Sequence, residues 1–505
     1  MTDKASENAA LPRHPAEILL PHRPAPANRL LLRLGYGGAL LIVLMSLPLP
    51  FFWDSILLGS EVGQHLYQTG LRGWILPTAL DSGHPPGFGA YLALWWSLLD
   101  PTLPVAHLAM LPVLGLLWLS FYRLLRLLLP AADQRSAHWI AAGLLLMEPT
   151  FAAQAIHVGP DLMLLALYLS ALVCLLERRP VTLGFLLLAM GLVSLRGLPA
   201  IAALGGTALV LATIRGSAWL LPPFAFAAAG LLAWFGYHAS QTGWWLANPD
   251  AAWAANQQWP GVAGMLRNAG LIGWRLLDFG RVALWVPGLL WLLDQLRRSK
   301  GLSAPERQLI ALWAVPLALF SLAFLPFANP IAHRYFLVVF VLALPWFAHR
   351  IQQLDPTRQR FAAIALVAML GFGHRWIYPD KVAQGWDASL AHLPYFSLLS
   401  QAWSEIPDPS LVYTEFPLYK PMTAVRPGSQ QVRRSFRKAE GNWLDHDYVL
   451  YSNIINDIPD ATYDEITSTW PLQREWEQGK VFIRLYRKPG VPPFELPELE
   501  ELPAE

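Results

Sequence analysis

Long apolar runs separated by short polar breaks occupy the chain up to about residue 378; beyond that the pattern changes. A hydrocarbon core of about 30 Å is crossed by about 20 apolar residues in a helix. The runs predict about eleven spans, at 30–53, 104–129, 137–157, 160–176, 181–196, 198–214, 217–238, 281–296, 307–327, 333–350 and 360–378. The run 88–99 is too short to cross comfortably. It is predicted to lie along the surface or to re-enter.

Residues 379–505 are richer in charge and proline. Leu411–Phe416, Tyr448–Ile455 and Val481–Tyr486 are rich in β-branched and aromatic residues and read as strands. Helical stretches are expected near 389–405 and 462–478. This predicts a small α/β domain over 379–490, with a Pro/Glu-rich disordered tail at 491–505. Residues 1–28 are polar and Pro/Ala-rich and also read as disordered. The first apolar run is long and lacks a small-residue cleavage site, so it reads as an uncleaved anchor.

Composition sharpens the class. The 505 residues are 54% hydrophobic and 14% charged, with a mean hydropathy of +0.36, against about 25% charged in soluble proteins. This is a polytopic membrane protein. The net charge of +2, without a basic aromatic patch, gives no sign of a nucleic-acid partner. The lone cysteine, Cys174, rules out a disulfide framework or a cysteine metal site. With 88–99 not crossing, Arg13, Arg23, Arg29, Arg33, Arg123, Arg126, Arg135, Arg178, Arg179, Arg215, Arg297, Arg298, Lys300, Arg307, Arg350, Arg358 and Arg360 share one side. The positive-inside rule makes that side cytoplasmic. The N-terminus is then inside, and the loops 54–103 and 239–280 and the C-terminal domain are extracytoplasmic, at the plasma (inner) membrane.

Candidate chemistry gathers on the outer side. Asp54 stands where the first span meets water. There it is spared the full cost of hydrocarbon and is within reach of a lipid headgroup. It reads either as a solvated cap or as an acid that takes a proton from an attacking hydroxyl or holds a metal or an amine acceptor. Glu61 follows on a short predicted helix. The loop closes at His84-Pro85-Pro86, whose prolines fix the backbone; Asp81 reads as a turn residue. Asp161 opens the fourth span, as a helix cap or as a site residue. Arg334, in His333-Arg334-Tyr335, and Arg196 lie toward the face where arginine is disfavoured. They either snorkel or hold an anionic partner such as a phosphate. The loop 239–280 holds five tryptophans and reads as an amphipathic surface segment.

The layout resembles the GT-C superfamily of membrane glycosyltransferases that use polyprenyl-phosphate-linked sugars. Its nearest branch is the protein O-mannosyltransferase and aminoarabinose transferase group. The matching features are Asp54 after the first span, Gly70, His84-Pro85-Pro86 opening an apolar run, Pro160-Asp161, and Arg334-Tyr335. Two positions depart from the pattern. Ser55 stands where the family often has a second acid, and His107, in Ala106-His107-Leu108, stands where it often has an arginine.

The resemblance implies an all-α, GT-C-like membrane fold and inverting sugar transfer from a polyprenyl-phosphate-sugar lipid to a glycan, lipid or protein acceptor. Asp54 and Glu61 would be catalytic. His84, His107, Asp161, Arg196, His333, Arg334 and Tyr335 would bind substrate. No cofactor is certain; a divalent cation is possible, although no ligand spacing amounts to a metal site. A non-enzymatic transporter or lipid flippase, or an inactive transferase-like partner subunit, is the competing reading.

Overall fold

The computed structural model describes residues 28–494 apart from 130–134, 216–217, 247, 250–253, 299–300, 330, 378–386, 409–410, 415–436, 439–442, 455–457 and 459. Both ends predicted to be disordered fall wholly or largely outside the described residues, as do the last residues of the first two predicted strands.

A helix forms at each of the eleven predicted apolar runs. The first, α1 (Arg29–Ser46), is capped by the Asn28 side chain, which accepts from the Leu31 amide. It stops well before Trp53, because Pro48 and Pro50 cannot continue a helix. A π-helical stretch, Ser55–Glu61, leads into α2 (Val62–Gln68). Helix α3 (Gly87–Leu98) spans 12 residues, the short run predicted not to cross. Helices α4 (Leu103–Leu108) and α5 (Met110–Leu128) follow, then α6 (Arg135–Met147) and α7 (Pro149–Ile156), bent by 63° at Glu148. Next come α8 (Pro160–Leu176), α9 (Pro180–Val193), α10 (Gly197–Arg215), α11 (Leu221–Thr242) and α12 (Gly261–Leu277). Helix α12 meets α13 (Val282–Arg297) at 103°. The bundle ends with α14 (Ala304–Phe324), α15 (Leu337–Gln352) and α16 (Pro356–Gly373).

Among the described residues, four helices are long and apolar enough to cross a membrane: Arg29–Ser46, Leu103–Leu128, Pro305–Phe324 and His333–Gln352. Two bent pairs, α6 with α7 and α12 with α13, qualify when each is taken as one span. Helices α8 and α9 are apolar but shorter. Helices α8 and α15 are enclosed almost throughout their length. They form the centre of a core that also draws on α1, α3, α5, α6 and α10.

Beyond α16, α17 (Pro394–Glu405) packs on a five-stranded sheet of order β2-β1-β3-β5-β4. Strand β1 (Val412–Thr414) runs parallel to β2 (Arg437–Lys438) and to β3 (Tyr448–Ser452). Strands β4 (Leu472–Gln478) and β5 (Val481–Arg487) form an antiparallel hairpin, and β5 pairs with β3 so that Val449 faces Tyr486. Alternate residues point to opposite faces. Val412, Leu450, Ile483 and Leu485 face α17, while Tyr413, Tyr451, Phe482 and Tyr486 meet α18 (Asp460–Thr469).

The helix expected over 462–478 is therefore half right. Pro471 ends it, and the following residues, though good helix formers, become the edge strand β4. Gly479 in the left-handed region (φ 68°) makes the turn into β5, and pairing with β5 overrides local preference.

Candidate functional site

Helix ends, not helix middles, supply the charged side chains. The start of α8 carries Asp161. The turn Ser194-Leu195-Arg196 precedes α10, and a 3-10 turn, His333–Phe336, precedes α15. The extended segment after α1 ends at Trp53, whose left-handed backbone (φ 49°) costs of order 1–3 kcal/mol for a bulky residue. Strain of this kind persists only where the surroundings hold it. Here it places Asp54 against the other helix ends, at the head of the π-helical stretch, a backbone form frequent at functional sites.

The five charges interlock. Arg196 donates from Nη1 to both carboxylate oxygens of Asp161 at 2.6 Å, and from Nη2 to Asp54. Arg334 places Nη2 3.2 Å from Asp54 Oδ2 and Nη1 2.6 Å from Asp387 Oδ2. Its Nε lies 3.4 Å from Asp161 Oδ2, is buried, and makes no well-formed hydrogen bond. Both guanidiniums stand near the Tyr335 ring, at 5.0 and 5.3 Å. The arginines are 7% and 5% exposed, so they are buried rather than snorkelling. Neither Asp54 nor Asp161 caps its helix through the side chain. Three carboxylates thus face two guanidiniums, and among the carboxylates Asp54 is the most open, with its side chain 21% exposed against 4% for Asp161 and 9% for Asp387. Burial works against the charged form of Asp54, but Arg334 and Arg196 outweigh it and hold the carboxyl at about 2.

His84 stands beside this group. Its Nδ1 accepts from the Leu195 amide at 3.3 Å and lies 2.9 Å from Ser194 Oγ. Burial, and then the charge of Arg196, push it down to about 3. The ring is therefore neutral, and the Leu195 bond assigns the proton to Nε2, which serves as a donor. The preceding loop is fixed by Asp81, which accepts from His238 Nε2 at 2.8 Å and from the Gly83 amide at 2.9 Å. It is a turn residue as expected, but a buried one, hydrogen-bonded to a distant helix. Gly83 (φ 85°) is required there: a Cβ would stand 2.4 Å from the Leu246 carbonyl oxygen.

Of the remaining sequence candidates, His107 Nε2 donates to the Leu49 carbonyl at 2.8 Å, so it tethers the segment leading to Asp54. His333 Nε2 lies 3.1 Å from Asp278 Oδ2, in a neighbouring cluster with Arg275. Glu61 stands at the far end of the π-helical stretch. The further carboxylates around the arginines come from Asp161 and Asp387.

Nothing in the sequence marks Asp387, which follows the last apolar run outside any motif. It also accepts from Gln154 Nε2 at 3.1 Å. A second buried pair, Glu148 with Arg281, Nε to Oε1 2.7 Å, lies at the α6–α7 bend, and Arg281 continues to Thr150 at 2.5 Å. An acid inside an apolar run, as Glu148 is, was the signal available for it. Among the described residues no group of three His, Cys, Asp or Glu side chains is placed to hold a metal ion.

Neither a protein-family model nor a curated protein matches the sequence. Solved structures do. ArnT from Cupriavidus metallidurans bound to undecaprenyl phosphate aligns with a TM-score of 0.51 at 14% identity, covering 91% of this chain and 98% of that one. The apo state of the same protein aligns at 0.50 and 12% identity, covering 90% and 97%. The chain shares the overall fold of that ArnT.

Proposed function

We propose that this protein transfers a sugar from a polyprenyl-phosphate-linked donor to an acceptor at the outer face of the plasma (inner) membrane. About eleven helices would cross, with the N-terminus cytoplasmic and the sheet outside. The observation that carries the reading is the pair of buried guanidiniums, Arg196 and Arg334, held at converging helix ends beside an open carboxylate. The ArnT-like fold, seen in a protein crystallised with undecaprenyl phosphate, supports it.

The donor phosphate exchanges with Asp54 on the two guanidiniums, while Asp161 and Asp387 keep them in place. Freed from its positive partners, Asp54 becomes a better base. The acceptor hydroxyl oxygen attacks the anomeric carbon from the face opposite the phosphate, and its proton passes to Asp54. The bond from the anomeric carbon to the phosphate oxygen breaks with its electron pair, and polyprenyl phosphate leaves. Charge grows on that phosphate as the bond breaks, where prearranged donors are most effective. His84 Nε2 and Arg334 Nε are the further donors at hand. Asp161 supplies in space the second acid that Ser55 does not supply in sequence.

The test titrates undecaprenyl phosphate against the purified full chain and its Arg334→Lys variant, and then follows sugar release from a polyprenyl carrier. The lysine keeps the charge but loses the fork of donors. Binding that weakens at least about tenfold in the variant, a loss of about 1.4 kcal/mol, together with turnover in the wild type, supports the reading. Binding without turnover points to a flippase or a partner subunit, and absence of binding rejects a lipid-phosphate site.

A further inference from the structure

The hydrophobic core of the C-terminal sheet reaches into the bundle. Phe52, two residues before Asp54, is 4% exposed and belongs to the same apolar cluster as Leu398, Leu450 and Ile483. Its ring packs against both His157, centroids 5.1 Å apart, and His392, at 4.9 Å, with Phe396 edge-on at 5.3 Å. The two histidines also meet directly, Nε2 to Nε2 at 2.9 Å. The same stretch of chain grips the bundle at three further points. Asp387 holds Arg334, Gln154 Nε2 donates to the Asp387 carbonyl at 3.1 Å, and Thr150 Oγ1 donates to the Ala388 carbonyl at 3.1 Å. Between Phe52 and Asp54 stands Trp53 in its left-handed conformation, its ring 6.0 Å from the Arg334 guanidinium. A backbone of this kind is kept only when both of its sides are held. Phe52 holds one side and the arginines hold the other.

We infer that the C-terminal sheet region is a working part of the site, and that Phe52, seated in its core, is the positioning residue that aims Asp54 at Arg196 and Arg334. The proposal deepens the transferase reading and rests on it for the role of Asp54. Two consequences follow from the geometry. The sheet cannot move away from the bundle without carrying Phe52 with it, so its docking and the placing of Asp54 are one event. The effect of Phe52 falls on the chemical step, because the guanidiniums that would bind the donor phosphate keep Asp161 and Asp387 when Asp54 swings away.

Phe52→Leu and Phe52→Ala in the full chain, with matched folded fractions from thermal unfolding, test this. The expected result is a graded fall in kcat, reaching about 100-fold for alanine, the scale on which a misplacement of about 1 Å acts. The donor KM and the affinity for undecaprenyl phosphate stay near wild type. Amide exchange over residues 49–61 quickens in the same order. Should alanine prevent folding, the leucine variant alone decides. An unchanged kcat, a parallel loss of lipid affinity, or unaltered exchange over 49–61 overturns the proposal. If the wild type neither binds undecaprenyl phosphate nor transfers sugar, the transferase reading fails instead, and the exchange measurement still decides whether Phe52 places Asp54.

Discussion

Arg196 bridges two carboxylates of unequal burial: Asp161, which takes Nη1 on both of its oxygens at 2.6 Å, and Asp54, which takes Nη2. The first is closed in and the second partly open. Equal chemistry in unequal surroundings assigns unequal tasks. Removing one member of a buried ion pair strands the other and costs about 3–5 kcal/mol, and the cost falls as water can reach the vacated place. Asp161→Asn is therefore expected to lower the thermal unfolding temperature more than Asp54→Asn. Chemical unfolding of both variants in one detergent checks the order. Equal losses would mean that Asp54 is as structural as Asp161.

Much of this arrangement is legible in the sequence, because it rests on features a single chain displays. Apolar run lengths find the helices. Arginines at span ends draw attention to Arg196 and Arg334, and Pro160 and Pro85-Pro86 mark where helices begin. Pro48 and Pro50 mark the end of α1 in the same way, although the apolar run continues to residue 53. What the sequence hides is long-range partnership. His107 and His333 carry the right chemistry in the right neighbourhood but turn to Leu49 and Asp278. Asp387 stands more than fifty residues from Arg334 with only the fold to join them. The strand β4 is hidden for a related reason, since only its pairing with β5 makes it extended.

Two buried histidines give stability a definite pH dependence. Burial, and then the charge of Arg196, lower His84 to about 3; burial lowers His392 to about 4, against an ordinary 6.5. Both are neutral in the folded chain. Below pH 6.5 the unfolded chain binds protons that the folded chain refuses, so stability falls as the pH drops from 6.5 toward 4. The contribution is fully present above 6.5. Each histidine adds a slope of up to about 1.4 kcal/mol per pH unit. Unfolding midpoints measured from pH 7.5 to 4.5 should decline, and His392→Gln should flatten the decline. A flat profile in the wild type would show that neither ring resists protonation.

The proposed orientation rests on where the arginines fall and on α3 being only 12 residues long. A reporter enzyme fused after Glu505 should work only if it is active outside the cytoplasm, and one fused to the N-terminus only if it is active inside. A cytoplasmic C-terminus would put the sheet, and with it Asp387 and the arginine cluster, on the inner side, away from an extracytoplasmic acceptor.

Asp54 poses the sharpest question, because a carboxylate held at about 2 by two arginines is a weak base as it stands. The exchange mechanism removes this difficulty in a measurable way. In the free protein Asp54 stays ionised at every working pH, so kcat/KM for the donor should show no acid limb from it above about pH 4, since its carboxyl lies near 2. With the donor phosphate on the guanidiniums, Asp54 loses its positive partners and gains a negative neighbour, and both raise its pKa. The acid limb of kcat should therefore stand at higher pH than that of kcat/KM. Asp54→Asn keeps the size of the side chain and removes its basicity, so kcat should fall by about 100- to 10,000-fold, the usual contribution of a general base. Affinity for undecaprenyl phosphate should hold or rise, because the variant no longer competes for the arginines. Weaker lipid binding by Asp54→Asn would show that the carboxylate cooperates with the phosphate rather than giving way to it, and turnover at the wild-type rate would remove Asp54 from the chemistry altogether.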